Sequence, residues 1–455
     1  MLVIRALLAS ALLVLPARAW AMDANVPCES PSVFSGAAVN VVVLPYSLPA
    51  SFNATTSAVG EQLGAMVQLE TVLSIAKYGS IGVVQLIGNT RQECTPEIVL
   101  DKLTGKTGGA REKMQPGAAL ILIWGRIFES GPDLYLQSYV RFLRLGVEES
   151  IDLTVRDRRL KGTLSTQAFA CAPRKIAIRD ISDIQRQFAA ARLLHAKPDA
   201  SSPVVKMPEG RGPFSYWITS LRGDWVQLQP MDRSTPSDRK LTPGWLQVRA
   251  ADAQWSLRRQ MPELYFIEAV AGYLTARTRS NSATVVDTAL QYADTALTRY
   301  LDAWGANAVL GSDPAANGTP LAVGVPRQLL GFVALLRGRG SDAALTEART
   351  QFERAAALTP HSSHARNLVT MTRVAQTYRQ PSADQPPRLF IDDWRGLLGS
   401  DPDNVNILTN LGAIYDLVLS TVPGAPSSWN LSVAERDLIV KQRERLKALS
   451  VGRTT

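Results

Sequence analysis

Several short stretches carry residue types that could do chemistry. "LTGKTGG" (103–109) sets a lysine among glycines, the composition of a phosphate-cradling loop. Such a loop needs a glycine five residues before Gly105, so that successive backbone N–H groups can wrap the phosphate. Leu100 stands there, and the stretch reads as a flexible loop instead. "SIAK" (74–77), followed by "KTG" (106–108), imitates a lysine-activated serine nucleophile, with Ser74 and Lys77 one helical turn apart. No S-D-N element lies between the two motifs and the gap is too short for that fold. "SIAK" therefore reads as the end of an amphipathic helix. "HSSH" places His361 and His364 three apart, but zinc needs further ligands. A polar first helical turn accounts for both. Cys28, Cys94 and Cys171 allow at most one intramolecular disulfide, and their separations suggest no metal knuckle. G-x-S-x-G, H-E-x-x-H and Rossmann glycine patterns do not occur. The reading is a non-enzymatic chain with no cofactor and no metal. Its alternative is an enzyme whose site is dispersed along the sequence.

The remaining candidates are aromatic and amide side chains. Trp225 and Trp245 sit in short alternating apolar runs, and "FSYWITSLR" lies just upstream. Neighbours on a strand face opposite sides, so one of Tyr216 and Trp217 should point inward and the other outward as a ligand contact. Trp225 and Trp245 are assigned to packing.

These residues need elements to hold them. "VNVVVLP" (39–45) reads as a buried strand, and Ser57 to Lys77 as a helix capped by Ser57. "IGVVQLI" (81–87) is a second strand, and "TPEIVLDKLTG" (95–105) a helix opened by proline and closed by glycine. "AALILIWGRIFES-GPD-LYLQSYVRFLRL" reads as a long hairpin. "IDLTV" and "TLSTQAFAC" extend that sheet, and "IRDISDIQRQFAAARLL" is partly helical. From Pro262 onward the chain is helical. At the other end, "MLVIRALLASALLVLPARAWA" has an early Arg5, an apolar run and small residues at the end, the order of a secretory signal peptide. That run is too short to span a membrane, and no later stretch is long enough.

The strand–helix–strand–helix–hairpin order resembles the N-terminal α/β domain of TolB-like periplasmic proteins, which implies a protein-contacting domain. Leu193-Leu194, Val204-Val205, Gly210, "GDWV" (223–226) and Gly244-Trp245 follow the pattern of bacterial SH3-like domains, with a long loop from Pro230 to Pro243 as the departure. Ala348, Phe352, Ala355 and Pro360 resemble a tetratricopeptide second helix, and Leu408, Leu411, Gly412 and Tyr415 a first helix. The charged segment 434–449 suits a terminal cap. The expected fold class is multidomain α+β. Its parts are a signal peptide (1–21), an α/β domain (22–189), an SH3-like β-barrel (190–256) and C-terminal all-α tetratricopeptide-like repeats (257–455).

The tetratricopeptide resemblance implies a peptide groove lined by first helices. The packed seam holds Leu408, Leu411 and Tyr415, so Asn406 and Asn410 fall on another face. His364 and Asn367 lie on the equivalent face of the preceding repeat. An asparagine amide donates and accepts together, which suits an extended peptide backbone. Without the signal, Lys plus Arg falls from 49 to 47 against 40 acidic residues, leaving +7. The basic residues are scattered, so nucleic acid is excluded as a partner and anionic envelope polymers or acidic proteins are favoured. The expected function is an exported envelope scaffold or adaptor, soluble in the periplasm after signal cleavage, that binds a protein or peptide. Peptidoglycan is the alternative ligand.

Overall fold

The computed structural model describes residues 37–47, 57–78, 81–85, 96–104, 114, 117–171, 173–176, 194–206, 215–232, 239–247, 261–279, 281–304, 324–379, 388–419 and 432–451. The proposed signal peptide, Cys28, Cys94, most of the "LTGKTGG" loop and the segment 177–193 lie outside them. The chain divides into two compact units. One comprises Met1–Gly146, Ala170–Ala289 and Thr298–Thr319, the other Val147–Phe169, Leu290–Leu297 and Pro320–Thr455.

The first unit is built on a mixed sheet. Strand β1 (Val39–Ser47) is flanked in parallel by β2 (Ile81–Gln85) and β3 (Ala119–Ser130). Val39, Val41, Val42, Val43 and Leu44 are all buried, as a strand covered on both faces requires. Strand β3 turns back through Gly131-Pro132 into β4 (Asp133–Arg144), the expected hairpin. Helix α1 (Ser57–Ile75) packs on β1 and β2, and a shorter helix, α2, covers Pro96–Thr104. Gly125 on β3 leaves room for the Tyr46 ring, which a β-carbon there would strike.

Two expectations are corrected here. "IDLTV" does not extend this sheet: among the described residues β5 (Ser150–Val155) pairs only with β6 (Arg158–Thr163), as a separate hairpin in the second unit. The SH3-like stretch is not a separate barrel either. The short strands β7 (Phe169–Ala170) and β8 (Arg174–Ile176) are followed by β9 (Ser215–Arg222), β10 (Trp225–Asp232), β11 (Arg239–Lys240) and β12 (Gly244–Gln247). Strand β9 pairs antiparallel with β2, so these strands continue one ten-stranded sheet in the order β11-β10-β9-β2-β1-β3-β4-β7, with β12 on β10 and β8 on β4. An open edge on β2 has unpaired main-chain groups that another strand can satisfy.

Helix α3 (Glu263–Thr278), expected among the repeats, packs on α1, β3 and β4 and is buried nearly throughout. After α4 (Ala283–Trp304), the second unit runs through α5 (Val325–Arg337), α6 (Asp342–Leu358), α7 (Ser363–Tyr378), α8 (Arg388–Ser400), α9 (Val405–Leu419) and α10 (Val433–Val451), each packed on the next. Ser341 and Ser362 cap α6 and α7 by accepting the N–H groups of Ala344 and Ala365. The expected seam residues Ala348, Phe352, Ala355, Leu408, Leu411 and Tyr415 are buried. Among the described residues, no helix is long and apolar enough to cross a membrane.

Candidate functional site

In the second unit the side chains expected to read a peptide converge on one. His364 and Asn367 share a face of α7, as Asn406 and Asn410 share a face of α9, because residues three and four apart are neighbours on a helix. Both faces meet β6. The Asn410 carboxamide accepts the Lys161 N–H at 2.6 Å and donates to the Lys161 carbonyl at 2.9 Å. Asn367 donates to the same carbonyl at 3.3 Å. Its own oxygen accepts from Asn410 at 3.0 Å and from the Trp394 indole N–H at 2.9 Å. Asn406 donates to Glu148 at 3.3 Å and Thr163 at 3.4 Å, and His364 Nδ1 lies 3.0 Å from Thr163 Oγ1. Lys161 Nζ closes the cluster on Glu148 at 2.6 Å.

The expectation that these asparagines line a groove open to a separate partner is corrected. Asn367, Asn406 and Asn410 are 2%, 7% and 0% exposed. Their ligand is the chain's own hairpin, some 200 residues earlier in sequence. Hydrophobic burial fixes the hairpin as well. Leu153, Val155 and Leu160 are buried, and a β-carbon on Gly162 would lie 2.5 Å from Leu368 and 2.7 Å from Met371. Lys161, Gly162 and Trp394 were not singled out from sequence. The turn of this hairpin is Arg156-Asp157, with φ of 43° and 67°, and it lacks the glycine that marks such turns in a sequence.

In the first unit, the tryptophans lie differently from expectation. Val226 and Leu228 are buried with Ile218, Leu246 and Leu194, so alternation turns Trp225, Gln227 and Gln229 to the opposite face. Register places Trp245 opposite Gln227 and Trp217 opposite Gln229 on that face. Trp217, Trp225 and Trp245 are all half-buried, so the assignment of Trp225 and Trp245 to the core is corrected. Tyr216 and Trp217 do face opposite sides, Tyr216 lying opposite Pro230, but both are half-buried rather than one in and one out. His195 stacks edge-on against Trp225 at 5.4 Å and exchanges two main-chain hydrogen bonds with Trp245.

No protein-family model, curated protein or solved structure matches this chain.

A third cluster is fully buried. Ser138 Oγ donates to Glu263 Oε1 at 2.6 Å and lies 2.9 Å from the Tyr46 hydroxyl. Burial pushes the Glu263 carboxyl up, against the opposing effects of the Ser138 hydrogen bond and of Arg174. Burial, reinforced by Glu263, pushes the Tyr46 hydroxyl and the Cys171 thiol well up, and burial followed by Cys171 does so for Tyr300. The two phenol hydroxyls and the thiol are thereby held protonated and weakly nucleophilic. Ser74 of "SIAK" is buried and donates to the Glu70 carbonyl at 2.6 Å, while Lys77 pairs with Glu268.

Proposed function

We propose that this chain is an exported, non-catalytic scaffold of the cell envelope that works by binding polypeptide. It combines a TolB-like α/β region, SH3-like strands and tetratricopeptide-like helical hairpins. The observation that carries the reading is the recognition of Lys161. Two carboxamides satisfy both main-chain polar groups of one extended residue, a mode that reads backbone rather than side chains. The start of the sequence supports export. In-cell crosslinking followed by mass spectrometry should recover a small, reproducible set of envelope proteins. Recovery of none in repeated captures, or a turnover activity in the purified chain, would overturn the proposal.

A second reading, peptidoglycan binding, is favoured by the half-buried face bearing Trp217, Trp225 and Trp245 with Gln227 between them, since indole rings and amides together suit a mixed sugar and peptide polymer. Trp225→Ala should cost about 1–2 kcal/mol, below the roughly 3–5 of a fully buried tryptophan. On this reading the folded variant no longer sediments with purified sacculi. Equal sedimentation of both proteins, or of neither, removes it.

A further inference from the structure

The β5–β6 hairpin has two edges, and they are treated differently. Leu164 N–H donates to the Glu149 carbonyl at 2.7 Å, which sets the alternation of the ladder. Pairs 151/162, 153/160 and 155/158 then exchange hydrogen bonds, while the main-chain groups of 152/161 and 154/159 point outward, as do those of 150/163 at the start of the hairpin, where Ser150 is half-buried. On β6 the outward groups of Lys161 are taken by Asn410 and Asn367, which stand where a third strand would. On β5 the corresponding outward groups belong to Asp152 and Thr154. Both residues are exposed, and among the described residues neither main chain has a partner beyond the hairpin.

We propose that a second copy of this chain pairs with this edge, antiparallel, about a two-fold axis through Leu153. The sequence of β5 is self-complementary in that register. Ile151 meets Val155 of the copy, Asp152 meets Thr154, and Leu153 meets Leu153. Apolar residues fall opposite apolar ones, and two Asp152–Thr154 pairs each exchange both N–H···O bonds. Other registers that join outward groups are poorer. An axis at Asp152 opposes two carboxylates, an axis at Thr154 runs into the Arg156-Asp157 turn, and an axis at Ile151 sets the apolar Leu153 against Glu149. An isologous contact of this kind closes on itself as a dimer.

The test is sedimentation equilibrium of the purified chain over a concentration series, with hydrogen exchange alongside. The wild type should dimerise, and exchange at the Asp152 and Thr154 amides should slow several-fold as concentration rises. Thr154→Asp sets like charges opposite one another twice and should weaken the dimer at least tenfold. Thr154 is exposed, so folding should survive, which circular dichroism checks. Adding Asp152→Lys to Thr154→Asp puts opposite charges in register and should restore the dimer. A wild type that stays monomeric overturns the proposal. So does a dimer indifferent to Thr154→Asp, or a double variant that fails to recover.

Discussion

In the sheet-bearing unit a carboxyl group, Glu263, is buried against the hydroxyl of Ser138, which also meets Tyr46. In the helical unit carboxamides are buried against a peptide group. Both arrangements remove polar atoms from water, and both must replace the lost hydrogen bonds. The Asn367–Asn410 pair does so with no ionisable side chain of its own: the two amides satisfy each other, the Trp394 indole and the Lys161 main chain, while Asn406 and Thr163 bring Glu148, the Lys161 ammonium and His364 to the same cluster. The carboxyl group has fewer partners and a charged form that burial disfavours. The amide pair carries no charge of its own, whereas the carboxyl group can gain or lose one.

The comparison breaks most directly at the amides. Asn367→Ala with Asn410→Ala leaves the Lys161 N–H, the Lys161 carbonyl and the Trp394 indole N–H buried without partners. At about 1–3 kcal/mol for each of the three orphaned groups, the double variant should lose roughly 3–9 kcal/mol in urea unfolding. A loss under 1 kcal/mol would show that water or another group takes over, and that the hairpin is held by its apolar face alone. Gly162→Ala tests that apolar face. The added methyl group meets Leu368 and Met371 and should cost about 1–3 kcal/mol in the same measurement.

Glu263→Gln sharpens the contrast in pH. The folded-state pKa of Glu263 lies above its ordinary value of 4.5. Its contribution to stability is therefore fully present below about pH 4.5 and is lost as pH rises through the folded value. Wild-type urea midpoints should carry this fall, and the glutamine variant should flatten it. At neutral pH the variant should equal or exceed the wild type by up to about 1 kcal/mol, since Gln can still accept from Ser138.

Several of these parts were legible from residue pattern. The strand at 39–47, the helix at 57–75 and the β3–β4 hairpin arise from periodicities of 2 and 3.6 that any local window contains. The seam of the helical unit was legible too, because small and large residues recur at fixed offsets: Ala348, Phe352 and Ala355 on one helix, Leu408, Leu411 and Tyr415 on another. So was the chemistry of the asparagines, whose amides can pair with an extended backbone whatever its source.

The source itself was not legible. Lys161 and Asn410 are 249 residues apart, and nothing near either announces the other. Alternation told that Tyr216 and Trp217 face opposite sides, but not which face is covered, because that depends on register with β10 and on the β2–β9 pairing. The sequence by itself determined the local elements, their apolar stripes and the amides able to read a peptide. Only the tertiary structure decided that the strands after 215 join the N-terminal sheet, that the tryptophans lie half-exposed, and that the hairpin at 150–163 fills the asparagine site. The physical reason is range: propensity and periodicity act over a few residues, whereas strand pairing and burial depend on whichever distant segment presents a complementary edge or face.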